Sequence, residues 1–150
     1  MKLTYYRQPT ANSCGHTATA MLLSGYGIAK TPQDVIDAVH VHTRPGTDEP
    51  WGSLTTDHGV FLMGLGFKVA IYSFDVWITD MSWQGKDGAF ILDRLEAIRK
   101  TLTVPLFGKE ATEIYIDGYK AFIKAGGELF VKQFPTVELI KDAVMRGPVL

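Results

Sequence analysis

The residues best suited to chemistry lie early in the chain, in the stretch QPTANSCGHTATAMLLSGYG of residues 8–27. Cys14 is the only cysteine. It lies between a polar segment and a segment whose apolar residues have the spacing of a helix. A cysteine attacks as its thiolate, and the unpaired N–H groups of a helix N-terminus favour an anion. Gly15 would let a substrate carbonyl approach the backbone closely. This pattern predicts a nucleophilic thiolate at Cys14.

Acyl transfer to a thiolate also requires hydrogen-bond donors for the oxyanion of the tetrahedral intermediate. The backbone N–H of Cys14 is one candidate. The side-chain amide of Gln8, six positions earlier, is a second, because a loop containing Pro9 can fold back towards the sulfur. The alternative is that Cys14 is a small, inert residue of the core, as buried free cysteines are.

Residues 8–23, QPTANSCGHTATAMLL, resemble the active-site segment of papain-like cysteine peptidases. The similarity is greatest to the branch related to the bacteriocin-processing peptidases that remove double-glycine leaders. The resemblance extends more weakly to residues 51–74 and 136–150. It implies that Cys14 is the nucleophile, that Gln8 contributes to the oxyanion hole, and that the substrate is a peptide or a small amide or thioester.

A nucleophilic cysteine of this type works with a histidine that is oriented by an aspartate or asparagine. In papain-like enzymes this histidine follows the cysteine by roughly 130 to 150 residues. The last histidine of this chain is His58. The resemblance therefore predicts that the base lies beyond Leu150, and that residues 1–150 are a domain without its C-terminal strands.

The four histidines of the chain are weaker candidates for the base. His16 lies about 200° around the helix from Cys14, so it is expected to point away from the sulfur. His40 and His42 follow a helix and are expected to be solvated in a loop. His58 lies on a short helix, where it is expected to face a cleft or water.

A zinc site built from His40 and His42, with His58 and either Asp57 or Cys14, is a further alternative. No Glu-x-x-His or Cys-x-x-Cys motif supports it, so neither a metal nor another cofactor is predicted.

Trp51, Gly52 and Ser53, together with His58, are predicted to line a substrate cleft, because loops that combine an aromatic residue with glycine often do. The alternative for Trp51 is a buried structural role.

The composition argues against several functional classes. The net charge is −1 and no basic run is interleaved with aromatic residues, which disfavours nucleic-acid binding and anionic membranes. No segment has the roughly 18 apolar residues that a bilayer span requires. The absence of a signal-peptide pattern and of cysteine pairs predicts a cytoplasmic protein. An oligomer, or the remaining part of the domain, is the expected protein partner.

Hydrophobic periodicity and capping signals predict the elements that must position these residues. Asn12 or Ser13 is the predicted N-cap of the Cys14 helix. Thr31 and Pro32 begin the second helix, and residues 41–53 are predicted to be a loop. A short helix is predicted to begin at Ser53 or Thr55 and to end at Met63. The other predictions are helices at 88–102, 109–127 and 135–147, and strands at 67–74, 128–134 and 148–150.

Together these features predict an α+β, papain-like fold, in which a helical part packs against an incomplete antiparallel sheet. Residues 1–150 form one domain, with a helical insertion at 75–125. The expected activity is hydrolysis of an amide or peptide bond through an acyl-enzyme at Cys14. An acyltransferase, a peptide-binding module that does not cleave and a purely structural domain remain as alternatives.

Overall fold

The computed structural model describes residues 2–74, 78–101, 108–132 and 135–149. Two compact units divide the chain: Met1–His58 with Thr136–Leu150, and Gly59–Pro135. The helices are α1 (Cys14–Gly25), α2 (Pro32–Ala38), α3 (Thr55–Gly64), α4 (Gly88–Thr101), α5 (Lys109–Lys124) and α6 (Val137–Arg146), with a short 3-10 helix at Met81–Trp83. The strands are β1 (His42–Thr43), β2 (Pro50–Gly52), β3 (Ala70–Ser73) and β4 (Glu128–Val131).

In the first unit, α1 packs against α2. Ala20 and Leu23 of α1 and Val35 of α2 are fully buried. The predicted start of α2 is confirmed: the Thr31 side chain accepts from the backbone N–H of Asp34, whose carboxylate accepts from the backbone N–H of Thr31. Such a capping box satisfies two donors of the first turn. The predicted start of α1 at Cys14, with Ser13 at the N-cap position, is confirmed as well.

The prediction of a loop over residues 41–53 is wrong in part. β1 and β2 pair in an antiparallel ladder, with His42 opposite Gly52 and Thr43 opposite Pro50. A turn at residues 44–49 connects them, with the N–H of Arg44 bonded to the carbonyl of Glu49 at 2.8 Å. Strands of two and three residues are too short to produce a detectable alternation in the sequence.

In the second unit, β3 and β4 pair in parallel, with Ala70 opposite Glu128 and Ser73 opposite Val131. The expectation of an antiparallel sheet is therefore wrong for this pair. Parallel neighbours require a long crossover connection, and α4 and α5 lie within the one that joins these strands. The core of this unit consists of Ile78, Trp83, Ile91, Leu95, Ile116, Tyr119, Leu129 and Val131.

The remaining predictions are largely confirmed. α4, α5 and α6 lie within the predicted helices, and Thr136 caps α6 through the N–H of Leu139. Residues 148 and 149 form no strand, and Leu150 lies outside the described residues. The described residues also exclude parts of two predictions: residues 75–77 and 102–107 of the helical insertion, and residues 133–134 of the strand. Helices with two small sheets agree with an α+β class.

Two glycines of the second unit make room for the ring of Phe122, which is fully buried. A Cβ atom at Gly59 would lie 2.6 Å from Cε2 of Phe122, and one at Gly127 would lie 2.3 Å from its Cζ. Contacts this short cannot form without moving the ring or the backbone. The position of the Phe122 ring therefore requires glycine at both sites.

Gly59 and Gly64 provide a matched pair of substitutions on α3. A Cβ atom at Gly64 would meet nothing within 4 Å. We expect Gly59→Ala to lower the free energy of unfolding by about 1–3 kcal/mol through overpacking. Gly64→Ala should leave it unchanged or raise it by up to about 1 kcal/mol, because alanine favours a helix. Urea denaturation of both variants measures the difference, and equal stabilities would contradict the packing around Phe122.

Candidate active site

Cys14 is exposed and is the first residue of α1. Ser13 occupies the N-cap position, but its hydroxyl does not cap the helix. Instead Ser13 Oγ donates to the carbonyl of Thr10 at 2.9 Å and accepts from the N–H of Thr10 at 3.0 Å. The first turn of α1 is therefore without a side-chain cap, and the structure places the thiol where backbone N–H groups favour an anion.

Gln8 is exposed, and its side-chain amide is bonded within its own loop. Nε2 donates to the carbonyl of Thr10 at 2.6 Å and to that of Ala11 at 2.9 Å. A primary amide has two hydrogens, so both are engaged in this conformation. The role of Gln8 in an oxyanion hole stays a prediction, and it requires that the amide leave these carbonyls.

Strand β2 lies beside the loop that leads to Cys14. Asn12 Nδ2 donates to the carbonyl of Pro50 at 2.7 Å. Gly52 has a φ of +133°, and a Cβ atom there would lie 3.8 Å from the carbonyl oxygen of Asn12. Trp51 and Gly52 are half-buried on this strand. Their contact with a substrate stays a prediction, and the structure places them near the start of α1.

His58 packs directly against the first turn of α1. A Cβ atom at Gly15 would lie only 2.7 Å from Nε2 of His58 and 3.3 Å from Oγ of Ser53. The imidazole is 5% exposed, so it does not face water as the sequence suggested. Glycine at position 15 is what allows the histidine to lie this close to the helix.

Both ring nitrogens of His58 are bonded to hydroxyl groups. Nε2 lies 2.6 Å from Ser53 Oγ, and Nδ1 lies 2.9 Å from Thr19 Oγ1. Within the described part of the chain, His58 is the hydrogen-bond partner of Thr19, which is fully buried. A buried hydroxyl hydrogen needs an acceptor, so Thr19 donates to Nδ1 and Nε2–H donates to Ser53. Sequence reasoning missed Thr19, and it placed Ser53 in a substrate cleft without its contact to His58, because nothing in their spacing connects these residues.

Burial, and to a smaller extent the neighbouring His16, lowers the pKa of His58 from 6.5 to about 4, whereas Asp57 opposes the shift. The rings of His16 and His58 meet edge to face with centroids 5.0 Å apart. His16 is fully buried, and its Nε2 donates to the carbonyl of Val39 at 3.1 Å. His58 is therefore neutral near pH 7. A neutral ring has one nitrogen that accepts and one that donates, as the assigned bonds with Thr19 and Ser53 require.

The other two histidines lie at β1. His42 Nε2 is 2.8 Å from Asp57 Oδ2, and the same carboxylate oxygen accepts from the N–H of Leu54 at 2.9 Å. The rings of His40 and His42 are in edge-to-face contact, with their centroids 4.5 Å apart. The part of the chain that the structure describes contains no group of three or more His, Cys, Asp or Glu residues arranged to hold a metal ion.

The comparisons with known proteins give no family assignment. No family model, curated protein or solved structure matches the chain. None of the described helices is long and apolar enough to cross a membrane. The functional argument consequently depends on the contacts around Cys14.

The lowered pKa of His58 predicts a pH dependence of stability. Between pH 6.5 and about 4 the unfolded chain binds a proton at His58 that the folded protein does not bind. The free energy of unfolding should therefore be highest above pH 6.5 and fall as the pH is lowered. The slope is about 1.4 kcal/mol per pH unit, and the total is about 3 kcal/mol.

Urea denaturation of the native protein and of His58→Gln between pH 7.5 and 4 isolates this contribution. The variant keeps the other titrating groups, so its stability should depend less steeply on pH. Identical slopes for the two proteins would show that His58 titrates alike in the folded and unfolded states.

Proposed function

We propose that the chain catalyses acyl chemistry of the papain-like type through a thiolate at Cys14. The single observation that carries this proposal is an exposed cysteine at the first residue of α1, whose first turn has no side-chain cap. Backbone N–H groups at this position favour both the thiolate and the oxyanion formed next to it. The resemblance of residues 8–23 to papain-like peptidases supports the same assignment.

The proposed reaction has two steps. The sulfur of Cys14 attacks the carbonyl carbon of an amide or thioester, and the oxyanion accepts hydrogen bonds from the first turn of α1. The bond to the leaving group then breaks, which leaves a thioester on Cys14, and water hydrolyses it. With an amine in place of water, the same intermediate would transfer its acyl group.

The histidines influence which substrates react. His16 and His58 are buried, and both ring nitrogens of His58 are bonded to hydroxyl groups. An amine leaving group must be protonated as it departs, whereas a thiolate or aryl oxide leaves without help. We therefore expect thioesters and aryl esters to acylate Cys14 faster than peptide bonds.

A second candidate function is peptide binding without cleavage. The contacts of His58 favour it, because both nitrogens of the imidazole that packs against the first turn of α1 are bonded to hydroxyl groups. The two candidates differ in the reactivity of the thiol.

Alkylation of Cys14 by iodoacetamide at pH 6 tests the proposal. We expect a rate at least about ten times that of free cysteine, because the backbone N–H groups of the first turn of α1 favour an anionic sulfur. Intact-mass spectrometry measures the rate, and Cys14→Ser provides the control, since no other cysteine exists. A rate no greater than that of free cysteine would overturn the proposal and leave peptide binding.

The oxyanion role of Gln8 is tested by comparing two reactions of Cys14. Acylation by an aryl ester forms an oxyanion, whereas alkylation by iodoacetamide does not. Gln8→Ala should slow acylation by about 100-fold and leave alkylation unchanged. Gln33→Ala, which removes an exposed glutamine of α2 bonded to Asp37, should change neither rate. Equal effects of the two substitutions would exclude Gln8 from the oxyanion hole.

A further inference from the structure

The hydroxyl of Ser53 lies against the first turn of α1 at Gly15, the residue that follows Cys14. Its Oγ atom is 3.3 Å from the Cβ position of Gly15. Ser53 is half-buried, so its hydroxyl is not sealed within the core. The sequence suggested only that this serine lines a substrate cleft and gave it no chemical role.

The hydrogen bonds behind Ser53 determine the direction of its own hydrogen. Because Thr19 is fully buried, we assign its hydrogen to Nδ1 of His58, which places the ring hydrogen on Nε2, where it donates to Ser53 Oγ. The oxygen of Ser53 is thus an acceptor in this chain, and its hydrogen is available to another acceptor. Within the described residues, His58 is the hydrogen-bond partner of this hydroxyl. A hydroxyl that already accepts a hydrogen bond donates more strongly.

Ser53 and Gln8 differ in whether their hydrogen-bond donors are already engaged. The two amide hydrogens of Gln8 are bonded to the carbonyls of Thr10 and Ala11 and must leave them before they can bind another atom. The hydrogen of Ser53 needs no such rearrangement. Donors that are already oriented are the ones that stabilise an oxyanion most effectively.

We propose that Ser53 is a catalytic residue of the Cys14 site and donates a hydrogen bond to the oxyanion of the tetrahedral intermediate. His58 and Thr19 are positioning residues, which act through Ser53. This proposal rests on the proposed acyl chemistry of Cys14. It adds no chemical step: the proton of Ser53 stays on its oxygen, and the sulfur of Cys14 forms the new bond to carbon.

The neutral state of His58 maintains this arrangement over a wide pH range. The pKa of His58 is lowered to about 4 by burial, with His16 of α1 and Asp57 of α3 as the charged or titratable neighbours that affect it. Protonation would place a hydrogen on Nδ1, which could then no longer accept from Thr19. The contribution of Ser53 to acylation should accordingly persist from pH 8 down to about 5.

The experiment compares acylation and alkylation of Cys14 in single-turnover reactions. p-Nitrophenyl acetate is the acyl donor, and iodoacetamide is the alkylating agent. Ser53→Ala should slow acylation by about 100-fold while alkylation stays within about twofold. Ser53→Thr keeps the hydroxyl and should recover a substantial part of the acylation rate. Ser24→Ala, which removes a serine hydroxyl at the other end of α1, is the matched control and should change neither rate.

The outcomes separate this proposal from the one on which it rests. Rapid acylation of Cys14 that is unchanged in Ser53→Ala would overturn the role of Ser53 and leave the acyl chemistry standing. Equal slowing of acylation and alkylation in Ser53→Ala would show a structural effect on Cys14 and would also overturn it. A native protein that is neither acylated nor rapidly alkylated at Cys14 would overturn both proposals.

Discussion

The arrangement around Cys14 depends on one close approach, that of the His58 imidazole to the backbone of α1 at Gly15. The Cβ atom of any other residue at position 15 would lie 2.7 Å from Nε2, which is less than a van der Waals contact. Without that atom, the ring lies against the first turn and is buried there. Burial then lowers the pKa of His58 and keeps the ring neutral. Gly15, next to Cys14, is thus required for the packing of His58 against α1.

A neutral, buried imidazole is useful because it connects two hydroxyl groups with a defined direction. Thr19 is fully buried and must donate, which leaves Nε2–H to donate to Ser53. The direction of each bond follows from the satisfaction of buried polar groups rather than from a charge. The same contacts make His58 a poor candidate for the base of Cys14. A histidine that orients a donor supports oxyanion stabilisation better than proton transfer.

Local features of the sequence allowed much of the fold to be predicted. Thr31, Pro32 and Asp34 specify the start of α2 through contacts within four residues, and the cap at Thr136 is equally local. The parallel pairing of β3 with β4 was not predictable in this way, because it joins residues more than 50 positions apart. The environment of His58 was missed for the same reason. Helical spacing places it on α3, but only tertiary packing brings Thr19 and Gly15 to its ring.

The position of Cys14 at the start of α1 was predicted from the change in residue spacing, and the structure agrees. The chemistry assigned to it follows from exposure and from the uncapped first turn. The most direct test is to mix the protein with a thioester, quench with acid within one turnover, and map the acyl group by peptide mass spectrometry. The account predicts a single acyl group on Cys14 that neutral hydroxylamine removes. No covalent adduct, or an adduct at another residue with Cys14 unmodified, would contradict it.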